Sequence, residues 1–402
     1  MIRQWVPAWS AVVLGCVAAA PSQPAVHPGI DVLLTDSLHL ITGRRVGLLT
    51  NQTGVDAGGV TDLTRLLGAG IQVTAIFSPE HGYRGALDQE VVEHGVDSAS
   101  NIRIWSLYGD VRAPTSDMLL DIDILLVDLH DIGARPYTFI STALLTMQSA
   151  QAQRIPVIIL DRPDPLGGVH VQGPVLDRAE SSFVGMLPVP IRHGMTLGEL
   201  AHLGNEVLGI QADLTVVPAS GWRRDQWFDQ TGLPWVRPSP NLPDLESATH
   251  YPGLVVFEGT NLSVGRGTPI AFQVVGAPWL DPAAVRAWLG QVPGVAVADT
   301  VFTPVAPADG KYANERLPAI KVHVTDRGTY DPTLLAARLL AAIRDAHPDR
   351  LAFNARTFDR LAGSDRWRLD VLAGRSGEET WRSWQLGVAE FTQVREAYLL
   401  YR

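Results

Sequence analysis

The chain has 402 residues, 46% of them hydrophobic and 18% charged, which describes a well-packed globular protein and excludes a disordered one. That length exceeds one ordinary hydrophobic core, so two domains are expected. A formal charge of −10 argues against nucleic acid and anionic membrane surfaces as partners, and a single cysteine excludes a disulfide framework.

Residues 1–20 read as a signal peptide. Arg3 supplies a short positive region, and Trp5 to Ala20 form an apolar run too short to span a bilayer. Ala18-Ala19-Ala20 suits a signal peptidase. Cys16 lies in Val13-Leu14-Gly15-Cys16, which resembles the lipobox of bacterial lipoproteins, with Leu14 where a small residue is more usual. Cys16 is the candidate for lipidation, and the alternative is an ordinary signal peptide in which it has no role. Either reading makes this an exported bacterial protein, periplasmic or in the cell envelope; the lipobox reading alone adds membrane attachment, by a lipid anchor on Cys16. Residues 21–28 are rich in Pro, Ser and Ala and read as a tether.

Beyond the tether, strand-like and helix-like patterns alternate. Val46 to Asn51 reads as a strand, Val60 to Leu67 as a helix, and Val73 to Phe77 and Ile102 to Leu107 as strands. Ile122 to Leu129 is a strongly apolar strand, and Pro136 to Gln153 reads as a helix opening on its proline. Pro156 to Leu160 is again a strand, Asp161 to Gly168 a loop, Thr196 to Leu208 a helix and Leu214 to Val217 a strand. Near-continuous apolar strands separated by helices are buried on both faces, so the fold class is α/β with a mostly parallel sheet.

Trp235 to Pro243 holds three prolines in nine residues and interrupts regular structure. The domain boundary is placed near residue 250, giving domains over 29–250 and 251–402. The second half mixes strands (Leu254 to Phe257, Val295 to Ala298, Ala319 to Val324) with helices at 281–289, 331–345 and 377–400, a smaller α+β domain.

In an open parallel sheet the ligand crevice lies beyond the carboxyl ends of the strands. Four strand ends here are polar: Thr50-Asn51-Gln52-Thr53-Gly54, Ser78-Pro79-Glu80-His81-Gly82, Asp128 to Arg135, and Asp161-Arg162-Pro163-Asp164. Asn51, Asp128 and Asp161 alternatively satisfy loop amides. Glu80 has the best individual case. Pro79 stiffens its turn, Gly82 lets the backbone double back, and a strand-end position desolvates an acid, as a general acid near neutral pH requires. His81 either orients Glu80, binds substrate, or bonds to backbone. Asp128-Leu129-His130-Asp131 has metal-ligand residue types, with a strand-end loop as the plainer reading. Phe257 to Thr268 exposes Glu258 and, eight residues on, Arg266 between two glycines, suited to bidentate capture of a carboxylate. Tyr83, Tyr108, Tyr137, Trp222, Trp227 and Trp235 either stack on sugar rings or pack. Dinucleotide, Walker-type, nucleophile-elbow and zincin motifs are absent from the sequence, so no cofactor is indicated.

Taken in order, nine segments resemble the NamZ-type exo-β-N-acetylmuramidases, long known as a bacterial domain of unknown function. They are Gly29-Ile-Asp31, Gly47 to Gly54, Phe77 to Gly82, Ser106 to Gly109, Asp128 to Thr138, Leu160 to Gly168, Pro190 to Thr196, Pro238 to Pro243 and Phe257 to Thr268. The resemblance runs from about Gly29 to Gly276 and thins over the last stretch; His130 stands where Gln or another polar residue is expected, which argues against a catalytic duty for it. The resemblance implies a Rossmann-like domain joined to a smaller C-terminal domain, with the active site in the cleft. It also implies release of N-acetylmuramic acid from the non-reducing ends of peptidoglycan fragments, without a cofactor. Glu80 falls on the family's catalytic glutamate.

Glycoside cleavage needs a proton on the leaving oxygen and a group supporting the oxocarbenium-like carbon. Glu80 supplies the first in this reading, and Glu258, with Asp128 behind it, is the candidate second carboxylate; the substrate's own N-acetyl group is the other option. Asn51, His81, Tyr108, Asp128, Tyr137 and Asn261 are candidate substrate contacts. Muramic acid carries a lactyl carboxylate that glucosamine lacks, so a guanidinium is expected for it, and Arg84, Arg135 and Arg266 are the candidates. The competing readings are a hydrolase of another cell-wall bond and a non-catalytic muropeptide-binding lipoprotein. The sequence carries no signal of oligomeric state.

Overall fold

The computed structural model describes residues 1–2, 25–89 and 91–402. The signal-peptide and lipidation expectations, Cys16 included, lie outside the described residues, as do residues 21–24 of the expected tether. Residues 25–28 are packed rather than loose: Val26 is buried, and His27 bridges Ser220 through two backbone hydrogen bonds of 2.9 and 2.8 Å.

In chain order the strands are β1 (Arg45–Thr50), β2 (Gln72–Ser78), β3 (Gly95–Val96), β4 (Arg103–Ser106), β5 (Ile124–Asp128), β6 (Val157–Leu160), β7 (Gln172–Val175), β8 (Pro190–Arg192), β9 (Leu214–Val217), β10 (Val274–Gly276), β11 (Val295–Phe302) and β12 (Leu317–Val324). The α-helices are α1 (Gly29–Asp36), α2 (Asp62–Gly68), α3 (Phe139–Gln153), α4 (Leu197–Val207), α5 (Leu245–Leu254), α6 (Pro282–Leu289), α7 (Pro332–Ala346), α8 (Ala355–Ala362), α9 (Arg366–Leu372) and α10 (Gly377–Arg395).

Seven strands form the main sheet in the order β3-β4-β2-β1-β5-β6-β9, parallel throughout except for the short β3. The chain fills one side of β1, then returns to fill the other, so the order reverses between β1 and β5. The period-two geometry of a strand explains its double hydrophobicity. Leu49, Phe77, Leu125, Val127, Val157 and Ile159 enter one core, while Val46, Leu48, Ile76, Leu126, Ile158 and Leu160 enter the core on the opposite face. Helix starts follow capping chemistry: Thr61 caps α2, and Thr196 with Glu199 forms a reciprocal capping box on α4. The α3 helix starts at Phe139 rather than at Pro136, because residues 134–137 form a turn closed by the Tyr137 N–H donating to the Ala134 carbonyl at 3.0 Å.

The second region carries an antiparallel sheet ordered β10-β12-β11, with α6 packed beside it, α7 packed against α6, and α8 to α10 following. The expected strand at Leu254 to Phe257 is helical instead. Asp244 caps α5 by accepting from the Ser247 N–H, and α5 continues into a 3-10 turn at Val255–Gly259. A four-residue apolar run has no readable period, so it fits a buried helix as well as a strand. The larger core is continuous from Leu49 to Phe391, so the sheet region and the C-terminal region share it. The chain end also returns to the sheet: Tyr401 donates its hydroxyl to Asp161 at 2.6 Å and accepts from the Ala219 N–H at 2.9 Å.

Candidate active site

Beyond β2, Pro79 and Glu80 lead into a turn in which His81 (φ 70) and Gly82 (φ 75) are both left-handed. That conformation is ordinary for glycine and uncommon for histidine, so the turn is fixed by its surroundings. Here the Gly82 N–H donates to the Pro79 carbonyl at 3.0 Å, and His81 Nδ1 lies 2.8 Å from the Leu87 carbonyl. The half-buried Glu80 is thereby held at a cavity of about 500 Å³ between the sheet region and the C-terminal region.

Thr138, immediately before α3, donates its hydroxyl to Glu80 Oε2 at 2.5 Å. Tyr108, past the end of β4, reaches the same carboxyl; burial first, then Glu80's charge and hydrogen bond, push its phenol above the ordinary range. Aromatic rings form part of the wall. Tyr137 meets Tyr251 edge-on at 6.0 Å, Tyr251 meets Phe272 at 4.8 Å, and the Tyr137 hydroxyl donates to the Pro238 carbonyl at 2.7 Å. Glu258 enters from the turn after α5 and accepts a short hydrogen bond from Arg266 Nε. Burial opposes the Arg266 cation, but Glu258's charge and hydrogen bond, with Asp88 3.6 Å from the guanidinium, more than offset it and raise its pKa.

Of the residues singled out in the sequence, Glu80, His81, Tyr108, Tyr137, Glu258 and Arg266 meet at this cavity. Five others do not. Asn51 is buried and accepts from the Thr53 N–H at 2.9 Å and its hydroxyl at 2.6 Å, a loop-closing turn. Asp128 is fully buried and paired with Arg162, whose Nη2 donates to it at 2.8 Å. It can neither touch a substrate nor stand behind Glu258. Arg135 is buried with its guanidinium on four backbone carbonyls, those of Pro174, Val189, Leu361 and Ala362; desolvation pulls its pKa down to about 9. Arg84 is exposed, pairs with Asp97 at 3.3 Å, and lies on the far side of the Glu80 turn. Asn261 spends its amide on the Arg350 carbonyl and the Ala352 N–H.

The strand-end residues with metal-ligand chemistry have separate structural partners. Asp131 Oδ1 accepts from the Gly133 N–H at 2.8 Å, and His130 stacks near Phe228 with its pKa lowered to about 3, chiefly by burial. Trp222 and Trp227 are buried, and Trp235 packs on Phe228, so these indoles serve as packing groups.

Sequence reading missed Thr138, Tyr251, Phe272, Phe183, Arg112 and Arg360, all on the cavity wall. Thr138 could have been found, since it closes the Pro136-Tyr137-Thr138 segment before a helix. The others come from separate stretches with no local signal.

Two family profiles cover almost the whole folded chain. The N-terminal domain of the exo-β-N-acetylmuramidase NamZ matches residues 46–246, and its C-terminal domain matches residues 249–401. A Bacillus subtilis (strain 168) protein described as peptidoglycan β-N-acetylmuramidase NamZ is 38% identical over 384 residues, 94% of this chain and 92% of the relative. Two crystal structures of DUF1343 family proteins from Bacteroides fragilis NCTC 9343 share the fold. One gives a TM-score of 0.87 at 32% identity and the other 0.76 at 30%, each covering 94% of this chain and 99% of its own. With both domains matched in order and the relative aligned nearly end to end, the chain belongs to the exo-β-N-acetylmuramidase NamZ family.

Proposed function

We propose that this chain is an exo-acting glycoside hydrolase that releases N-acetylmuramic acid from the non-reducing ends of peptidoglycan fragments, with Glu80 as its general acid. The observation that carries the assignment of Glu80 is its position: a carboxyl on a rigid turn, hydrogen-bonded by Thr138, on the wall of a cavity that Glu258 also lines. The cavity volume falls within the roughly 300–1,000 Å³ range of small-ligand pockets.

In its protonated form Glu80 gives its hydrogen to the glycosidic oxygen as the bond to the anomeric carbon breaks. Thr138 at Oε2 and Tyr108 on the same carboxyl orient the acid toward the leaving group. Glu258, held by Arg266, is the carboxylate available to the oxocarbenium-like carbon, either directly or through a water. Tyr137, Tyr251 and Phe272 give the sugar an apolar wall.

Turnover of a disaccharide with N-acetylmuramic acid at its non-reducing end, whose sugar leaving group needs a proton, by wild type and Glu80→Gln tests this. Loss of a general acid is expected to reduce turnover by about 10²–10⁴-fold. A variant within about threefold of wild type, well short of that loss, rejects the role of Glu80. Saturable binding with no sugar released supports a passive muropeptide-binding protein instead. The segment from Arg3 to Ala20 supports export to the periplasm or cell envelope, with Cys16 as the lipidated residue. Cell fractionation that finds the chain in the cytosol, uncleaved, sinks that part of the proposal.

A further inference from the structure

Three guanidiniums line the cavity, those of Arg112, Arg266 and Arg360, against the two carboxyls of Glu80 and Glu258. Arg266 is committed to Glu258. When Glu80 carries the proton that it donates, two positive charges on the wall have no counter-charge from it. Neither Arg112 nor Arg360 makes a hydrogen bond or ion pair among the described residues. A charged side chain left unpaired on a cavity wall is suited to an anion.

Contacts on both sides position these arginines. Arg112 lies over the Phe183 ring with its guanidinium carbon 4.5 Å from the centroid, which fixes the plane of an otherwise exposed side chain. Arg360 is carried by α8, and two contacts fix α8 at the cavity. Arg135 donates to the carbonyls of Leu361 and Ala362 at 3.1 and 2.7 Å, gripping the helix at its last turn. Gly259 packs so closely beneath it that a Cβ there would lie 2.4 Å from Phe358 Cα. Gly259 follows Glu258 directly, so the segment with the second carboxylate and the helix with Arg360 are locked together. Ser182, beside Phe183 on the same wall, has a buried hydroxyl without a hydrogen-bond partner.

We propose that Arg112 and Arg360 together form the receptor for the lactyl carboxylate that distinguishes muramic acid from glucosamine. This rests on the muramidase reading above. Planar guanidiniums bind a carboxylate bidentately, with geometry as well as charge, so lysine is an incomplete substitute. Arg84, Arg135 and Arg266 are already occupied or elsewhere, which leaves this pair.

Titration calorimetry with free N-acetylmuramic acid and with its lactyl methyl ester tests the receptor in wild type, Arg112→Ala, Arg360→Ala and Arg360→Lys. The wild type is expected to bind the acid about 10–100-fold more tightly than the ester, as charge-assisted hydrogen bonds allow. In each alanine variant that ratio falls most of the way to unity while ester affinity holds, which also shows that the variant is folded. Arg360→Lys keeps an intermediate ratio. A ratio unchanged in both alanine variants overturns the receptor, as does a wild type that binds neither compound. Turnover separates the two readings. A ratio that collapses in the variants, with no sugar released by wild type, supports the receptor and rejects the glycosidase. Normal turnover with an unchanged ratio leaves the glycosidase standing without this receptor.

Discussion

Two strand-end regions of this protein contain the same ingredients and do opposite things. At the reversal point between β1 and β5, Asp62, Asp128 and Arg162 are packed together. Burial first, and then the Asp128 charge, raise the Asp62 pKa well above the ordinary carboxylate range, while Arg162 pairs with Asp128 and lies 3.8 Å from Asp62. Arg162 also donates to the Val55 carbonyl at 2.7 Å, and the group is sealed from solvent. At the end of β2, Glu80, Glu258 and Arg266 face a cavity, and Arg112 and Arg360 add charge there without an ion pair among the described residues. The lesson is that carboxylates and a guanidinium at a strand end do not make a site by themselves. The reversal point is where an open α/β sheet ordinarily takes its ligand, yet here internal charge pairing closes it and moves the site toward β2.

The two regions are expected to differ most at Glu80. Glu80→Gln is expected to abolish nearly all turnover and leave the denaturation midpoint close to wild type; a large loss of stability would mean that Glu80 belongs with the sealed, structural class. The opposite pattern is expected at Arg162. Arg162→Met leaves a buried carboxylate without its counter-charge, at a cost of about 3–5 kcal/mol, while kcat/KM per folded molecule is unchanged. Urea denaturation together with active-site-normalised kinetics checks both halves, and a fall in kcat/KM without loss of stability would place the cluster in the site after all.

A smaller effect concerns Asp164, also buried in a strand-end loop. Desolvation raises its pKa to about 6, while its Oδ1 accepts from the Leu166 N–H at 2.9 Å. The folded state then holds a proton that the unfolded chain releases from about pH 4 upward, so this group penalises folding increasingly as pH rises to about 6. Asp164→Asn keeps the acceptor and removes the titration. Relative to wild type it should gain roughly 2–3 kcal/mol between pH 4 and pH 7, read as the difference between two denaturation series. A difference that is flat with pH would show that Asp164 is not held protonated by the fold.

Legibility in the sequence followed the range of the interaction. Six of the seven main-sheet strands could be read because each carries its own apolar run, while the two-residue β3 (Gly95–Val96) has none and was not; Glu80 could be read because Pro79 and Gly82 flank it within one turn. Asp128, Arg135, Asn51 and Asn261 have residue types that suit a site equally well. For Asp128, Arg135 and Asn261 the assignment turned on partners that local sequence does not reveal, whereas Asn51 closes a turn on Thr53 two residues on. Arg135 finds Leu361 and Ala362 more than two hundred positions away, and Asp128 finds Arg162 on the next strand's loop. The 3-10 turn bearing Glu258 was mistaken for a strand end, although the residue itself does reach the cavity.

The sequence by itself determined the alternating α/β plan, the turn that presents Glu80 and the ordered motifs of the family, since each depends on side chains a few residues apart. Only the tertiary structure decided which carboxylates and guanidiniums cancel one another and which stay free for a ligand. Charge pairing depends on distances of a few ångströms between segments far apart in the chain, and those distances exist only once the two halves have closed on a common core.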